Sequence, residues 1–443
     1  MGYPTSDLPK VPIISLAACD KKEYYEAFAK GIVRDAQNDG IKGTWNPVVD
    51  IQIVDGPCRT HRHFSDNPSK VSESAEYLSE VYRRNNFLSC GNHYPSGNYS
   101  PFDTHMTEGV ANITEKELID FDLVPYIELM NKGLLPSIMT NHCLYPKIDP
   151  DYPASLSKKI IDIIRNKGFD GIVFTDSLAM MGTLQKFGEE NVYGRAIWAG
   201  NDIVLPNYRN SVEAGFNYLK KNYEDGAFTE ERLNEAARRV LTGMAYISEK
   251  PENPTVFTEE DEENLNNVAR DCITAVCDNG IDAKLSEIDS EKLFIVTTPQ
   301  DSSSGGRGEI SVADWYKAER VADKIKREFP KSRVEFIPEY PTQKDNDRVL
   351  AAATKYKEVV FVTYCTTTSY LGTDCMTRRL EAVANALAHS GKLSTVVHFG
   401  NPYAVKKTVT RSEKNIRISD TRITGFCNRC IKGKYSGKRK TSL

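Results

Sequence analysis

The chain has 443 residues, 40% hydrophobic and 27% charged, with a formal net charge of −4. That length exceeds what one hydrophobic core usually sustains, and the composition is that of an ordinary globular protein with two domains. Mild acidity gives no reason to expect a nucleic-acid partner, and no run of about 18 apolar residues exists to span a membrane.

The opening "MGYPTSDLPK" lacks the basic and apolar regions of a secretory signal, so the expected compartment is the cytoplasm. Short apolar runs ending in polar residues then alternate with amphipathic stretches. The expected strands are Trp45–Asp50, Phe87–His93, Ser137–His142, Gly171–Asp176 and Asp202–Leu205; the expected helices are Ser72–Asn85, Glu115–Lys132, Ser157–Lys167 and Val192–Ala199. Strand followed by helix, repeated, predicts parallel strands with crossover helices. Nearly every strand ends in potential chemistry: Asp50, His93, His142, Asp176 and Pro206-Asn207. A β/α barrel gathers its site at many strand ends, whereas an open sheet uses mainly its switch point, which favours a (β/α)8-type barrel over residues 1–248.

Thr229–Ile247, "TEERLNEAARRVLTGMAYI", carries one apolar stripe and closes this domain. The polar, proline-bearing stretch 249–268 reads as a linker. A smaller α/β sandwich is expected over 269–405, with strands Lys292–Thr298, Arg333–Ile337, Glu358–Tyr364 and Ser394–Phe399 and helices Val312–Phe329 and Thr377–His389. From Lys406 onward twelve basic residues stand against two acidic ones, without apolar periodicity. This tail, 406–443, reads as a disordered or aberrant end, with a basic partner-binding segment as the alternative.

The ten cysteines lie mostly inside apolar runs and read as reduced thiols. The CxxC at Cys427–Cys430 has no second pair, and zinc needs about four ligands, so no metal or cofactor is expected. "SSSGGRGE", Ser302–Glu309, lacks a phosphate-loop pattern and reads as a flexible loop. Asn98 and Asn112 head glycosylation sequons that matter only in a secretory setting.

Two segments carry the candidate chemistry. In "GFDGIVFTDSLAMMG" a strand apolar on both faces ends at Asp176. That aspartate is either a helix N-cap or a carboxylate held at a barrel mouth, as glycosidic-bond cleavage requires. In "GNHYPSGNYSPFDTHMTEG" the loop carries Asp103 and His105. Residues two apart in extended backbone share a side, so Asp103 can accept from the imidazole and suit it for acid–base work; the alternative is a loop histidine beside a chance acid.

These residues resemble glycoside hydrolase family 3. "GFDGIVFTDSLAM" is similar to its nucleophile segment, and the Asp-x-His loop to its β-N-acetylhexosaminidase branch. "GTWNPVVDI", "RHFSDNP", "GNHYP", "MTNHCLYP", "PASLS", "AIWAGNDIVLP" and "FGNPYAV" resemble further family segments between about Trp45 and Ala404. The resemblance implies Asp176 as nucleophile, His105 as acid/base and Asp103 as its partner. It implies Arg62, His93 and His142 as substrate contacts, and a retaining exo-hydrolysis of terminal β-N-acetylglucosaminides on a carbohydrate substrate.

Three departures bear on those expectations. The family's sugar-contacting lysine is Asn92 here, which weakens binding or changes the preferred sugar. The family's leading barrel segment has no counterpart, so a barrel incomplete at its N-terminus is expected. The likeness stops after Val405. A non-catalytic carbohydrate-binding relative, a phosphorylase and a β-glucosidase of the same family are the alternatives.

Overall fold

The computed structural model describes residues 8, 11–53, 62–97, 99–100, 102–207, 210–277, 290–299, 316–365, 376–401 and 415–419. The Cys427–Cys430 pair, the Ser302–Glu309 stretch, Asn98 and all of the tail except 415–419 lie outside them. The described residues form two compact units. One is built on Lys21–Glu262, the other on residues from Glu263 onward together with the helix Ile13–Cys19.

The strands of the first unit are β1 (Gly43–Thr44), β2 (Leu88–Ser89), β3 (Gly91–Tyr94), β4 (Gly109–Val110), β5 (Ser137–Thr140), β6 (Cys143–Tyr145), β7 (Asp149–Pro153), β8 (Ile172–Ser177) and β9 (Ile203–Leu205). β3, β5, β8 and β9 form one parallel sheet in chain order. β1 runs parallel to β2, and a bridge from Val48 to Asn92 extends that pairing. Crossover helices connect the parallel strands, among them Pro68–Arg84, Lys158–Arg165 and Glu189–Ala199. The first two are capped by side chains, Ser157 accepting from the Ile160 amide at the second. Asn67 Oδ1 accepts from the amides of Ser69 and Lys70, and Pro68 needs no donor in the first turn.

Within the expected strand Trp45–Asp50 only the bridge at Val48 is β-structure, and β1 lies just before it. Pro47 has no N–H to offer a ladder. Among the described residues the parallel segments form an open array, and no closed ring of eight strands is present. Cys90, Met139, Ile172 and Phe174 cluster on one face of this array, with Leu88, Ile203 and Leu205 packed against them. Side chains alternate along a strand, so Asp176 follows Ile172 and Phe174 on that same face. The helix Glu230–Ser248 approaches β8 at Gly243, where a Cβ would stand 2.6 Å from Ile172 Cδ1.

Glu115–Lys132 is not the single helix that its spacing suggests. It breaks into Glu115–Glu117, a π-helical turn Leu118–Asp122 and a helix Val124–Asn131. Pro125 forbids a continuous helix, because it donates no hydrogen bond and crowds the carbonyl four residues back. β4, β6 and β7 make a small separate sheet that the sequence pattern did not announce.

In the second unit the strands are β10 (Thr274–Cys277), β11 (Leu293–Thr298), β12 (Arg333–Pro338), β13 (Val359–Cys365), β14 (Leu393–Gly400) and β15 (Asn415–Ser419). They lie in the order β10-β15-β14-β13-β11-β12, parallel except for the β10–β15 pair. Leu293, Ile295, Val359 and Phe361 face the helices Gln343–Ala353 and Arg378–His389. Phe294, Val296, Val360 and Val362 face Ala318–Glu328 on the other side. That alternation makes a sheet buried on both faces.

Two readings change here. The stretch taken as linker, 249–268, holds most of a helix, Glu259–Asp271, started by a reciprocal cap between Thr258 and Asp261. The tail contributes one paired strand, β15. Among the described residues Cys19, Cys90, Cys143, Cys272 and Cys365 are buried free thiols. No helix among them is long and apolar enough to cross a membrane.

Candidate active site

The polar residues of the first unit meet at the carboxyl ends of its parallel strands. β8 ends on Asp176, which retains about a quarter of its side-chain exposure; the Ser177 amide donates to its Oδ1 at 2.7 Å. β3 supplies His93, whose Nε2 lies 4.0 Å from Asp176 Oδ2. Burial by itself would raise the Asp176 pKa. His93, His142, the Ser177 amide and His105 outweigh it, and the carboxyl sits below its ordinary value. His142 is itself held neutral by burial, so His93 is the imidazole that carries most weight.

His93 is fixed from behind. Its Nδ1 lies 2.7 Å from Asp50 Oδ2, and its backbone N–H donates to the same oxygen at 3.2 Å. A carboxylate only accepts, so the Nδ1 carries a proton and the Nε2 edge turns to Asp176. Asp50 is almost fully buried. Burial alone would raise its pKa, but His93, His63 and the Gly97 amide bring it below the ordinary value. The strand-end pattern had singled out Asp50 as polar, but its pairing with a histidine 43 residues away had no local signal.

The loop after β3 brings in Asp103 and His105. Asp103 Oδ1 accepts from the His105 backbone N–H at 2.9 Å and faces its Nδ1 at 2.6 Å. The loop backbone docks onto the segment that follows Asp176. The Gly182 amide donates to Thr104 O at 3.1 Å and the Met181 amide to His105 O at 3.4 Å. Gly182 permits this approach, since a Cβ would stand 3.1 Å from His142 Cβ and 3.3 Å from Thr104 O. Sequence spacing thus foresaw the Asp103–His105 pairing, and the fold delivers that pair beside Asp176.

His142 and Asn92 both turn into the protein. His142 is fully buried. Its Nε2 donates to Ser177 O at 3.0 Å, and its Nδ1 accepts from the Ser155 hydroxyl at 2.7 Å. With both nitrogens engaged it braces the chain after Asp176 and presents nothing to a ligand. Asn92 is also buried, and its Nδ2 donates to Trp45 O at 3.2 Å. Its amide turns into the protein because the β1–β2 pairing runs past it. Arg62 is half-buried, one residue before His63, whose Nδ1 lies 2.8 Å from Gln52 Oε1. No described contact brings Arg62 to Asp176. Among the described residues no group of three or more His, Cys, Asp or Glu is arranged to hold a metal ion.

A parallel β/α array with a braced imidazole and a low-pKa carboxylate at its strand ends defines a class of acid–base and nucleophilic sites. The family profile described as "Glycosyl hydrolase family 3 N terminal domain" matches residues 6–243, and the chain belongs to that family. A beta-hexosaminidase of Chromobacterium violaceum is 34% identical over 168 residues, which cover 38% of this chain and 46% of that protein. A beta-N-acetylglucosaminidase/beta-glucosidase of Cellulomonas fimi is 27% identical over 248 residues, covering 53% and 43%. The chain therefore spans about half the length of the curated relatives it matches.

Among solved structures, a family 3 beta-N-acetylglucosaminidase from Paenibacillus sp. superposes with a TM-score of 0.75 at 19% identity, covering 96% of this chain and 80% of that one. The beta-glucoside phosphorylase BglX superposes with a TM-score of 0.79 at 19% identity, covering 96% and 79%. Both likenesses establish a shared α/β fold.

Proposed function

We propose that the chain is a retaining exo-β-N-acetylhexosaminidase acting on terminal β-N-acetylglucosaminides. One observation carries this reading: the Asp103-braced His105 is docked, by backbone hydrogen bonds, on the residues that follow Asp176. Asp176 attacks the anomeric carbon while the His105 imidazolium protonates the departing oxygen, leaving a covalent glycosyl-enzyme. The neutral His105 then takes a proton from water, which attacks the same carbon and releases Asp176. Asp103 keeps the Nδ1 proton in place, so that Nε2 does the exchanging. Asp50 and His93 hold the attacking carboxylate in its ionised form. In this reading the parallel array is an arc of a (β/α)8-type barrel, and the named beta-hexosaminidase relative supports the choice of sugar.

Covalent trapping tests the proposal directly. An activated fluoro-analogue of N-acetylglucosamine is expected to label one peptide, and its mass is expected to map to Asp176. Turnover of an aryl N-acetyl-β-glucosaminide by Asp176→Asn at the wild-type rate would exclude the assignment.

Phosphorolysis is the second reading. A histidine donor does not repel phosphate as a carboxylate would, and a phosphorylase shares the fold. Formation of N-acetylglucosamine 1-phosphate in phosphate buffer separates the two.

A further inference from the structure

The loop that carries Asp103 and His105 is held at both ends by backbone. At its start the Gly97 amide donates to Asp50 Oδ1 at 3.3 Å, and Asn141 N donates to Tyr94 O at 2.8 Å. At its end Gly109 pairs with Cys143, at a point too tight for a side chain between Thr104, Ser100 and Cys143. Between these ends one side chain reaches inward. The Tyr99 hydroxyl donates to Asp122 Oδ2 at 2.7 Å.

Asp122 is unusual in three ways. It is buried, at 1% exposure. It ends the π-helical turn Leu118–Asp122, a local distortion that often marks functional positions. Its second oxygen, Oδ1, and the Ser96 hydroxyl beside it make no hydrogen bond of good geometry among the described residues, although Ser96 lies close enough to pull the Asp122 pKa down. A buried carboxylate with an unfilled oxygen is costly, and stability alone would favour an amide or an apolar residue there.

We propose that Asp122, acting through the Tyr99 hydroxyl, is a positioning residue that holds the Asp103–His105 loop against Asp176. The inference rests on the glycosidase reading for what the loop does, but the tie itself is a matter of structure. Tyr99 connects to the dyad through a short, internally bonded path. The Ser100 hydroxyl donates to Phe102 O at 3.0 Å and accepts from the Phe102 amide at 3.1 Å, one residue before Asp103. The Thr104 and His105 carbonyls dock on the Gly182 and Met181 amides, and the Tyr99 anchor fixes the stretch that leads into them, which keeps His105 in line with the leaving oxygen.

The tie is also proton-linked. Burial pushes the Asp122 carboxyl up to about 6, with the Tyr99 hydroxyl pulling it down in part and the Asp50 carboxylate pushing it further up. The titratable groups that face it are Tyr99 from the loop, Asp50 from the segment just after the Val48 bridge, and Tyr145 from β6. The Tyr99 hydrogen bond lowers this pKa and so favours the ionised carboxylate, which makes the tie firmest above pH 6 and weaker as pH falls through it.

Tyr99→Phe, Asp122→Asn and the double variant test the proposal, with amide hydrogen exchange of residues 102–106 read beside kinetics on an aryl N-acetyl-β-glucosaminide. Tyr99→Phe keeps the ring and is expected to exchange about tenfold faster above pH 6, once intrinsic rates are removed. The wild type is expected to show an extra rise in exchange as pH falls through about 6 that is missing in Asp122→Asn. Each single variant should lose about tenfold in kcat with KM within about twofold, and the double variant should lose no more than the worse single.

Wild-type exchange in Tyr99→Phe, or a double variant that loses the product of the two single effects, overturns the proposal. A wild-type chain without turnover would count against the glycosidase reading alone, and the exchange data would still decide the tie.

Discussion

Replacing Asp103 with asparagine isolates the charge of the brace from its shape. The amide oxygen of Asp103→Asn can still accept from the His105 amide at 2.9 Å and from Nδ1 at 2.6 Å. What disappears is the negative charge that stabilises the imidazolium as it forms and spends its proton. A hydrogen bond to a charged partner contributes about 1.5–3 kcal/mol, and Asp103 keeps about a quarter of its surface in water, which favours the lower part of that range. At about 1.4 kcal/mol per factor of ten, kcat/KM should fall by about 10- to 100-fold.

The loss should depend on the leaving group. Dinitrophenolate departs without help, so its N-acetylglucosaminide should lose little. A methylumbelliferyl or disaccharide substrate needs the proton and should show the full effect. The assay is therefore a series of aryl N-acetyl-β-glucosaminides graded by phenol acidity, with kcat/KM plotted for wild type and variant. A steeper dependence in Asp103→Asn is expected. Parallel lines, or a uniform loss across the series, would refute the role of Asp103 and His105 in proton delivery.

The remaining expectations are more local. Asp176 sits below the ordinary carboxylate range, held there against burial by His93, His142, the Ser177 amide and His105, so the acid limb of kcat/KM should lie below that of an ordinary aspartate; a limb above the ordinary carboxylate range in folded enzyme would contradict this. The same depressed groups, Asp176 and Asp50, contribute stability above their unfolded pKa that is lost as pH falls through the folded one, which acid unfolding monitored by circular dichroism will register. Asp202 is fully buried and accepts from Arg165 at 2.7 Å, Arg232 at 2.6 Å, Arg239 at 3.2 Å and the Val173 amide at 3.0 Å. Asp202→Ala leaves three guanidinium groups short of an anion and should cost about 3–5 kcal/mol in urea unfolding; a change below about 1 kcal/mol would show that the hub is dispensable. Gly182→Ala places a methyl 3.1–3.3 Å from His142 and Thr104, so the loop must shift. Its kcat should drop by about tenfold while the melting temperature changes little, and an unchanged kcat would mean that the dock at Gly182 does not position His105.

How much of the site could be read from the chain depended on sequence distance. The strand before Asp176 is apolar on both faces, so its end was legible. Asp103 and His105 are two residues apart, so their pairing was legible too. Asp50 and His93, Ser155 and His142, and Tyr99 and Asp122 are partners across 43, 13 and 23 residues. No periodicity reports such pairs. Asn92 shows the converse. It stands where the family has a sugar-contacting lysine, and that match did not reveal that its amide donates to Trp45 O.

Local pattern also located β3, β5, β8 and β9 and, in the second unit, β11 to β14, because burial on one or two faces imposes a period of 2 or 3.6 on the sequence, but it did not single out β4, β6, β7 or the helices Lys22–Asn38 and Gln343–Ala353. It missed the helix Glu259–Asp271, where the apolar stripe is thin and the cap is the main signal. It also missed the break at Pro125, although the proline itself was in view. Which strand ends converge, which histidine keeps some exposure and which is walled in, and how a loop is tied down were decided only by tertiary structure. Those depend on contacts between segments distant in the chain, and their free energy exists only once the segments have been brought together.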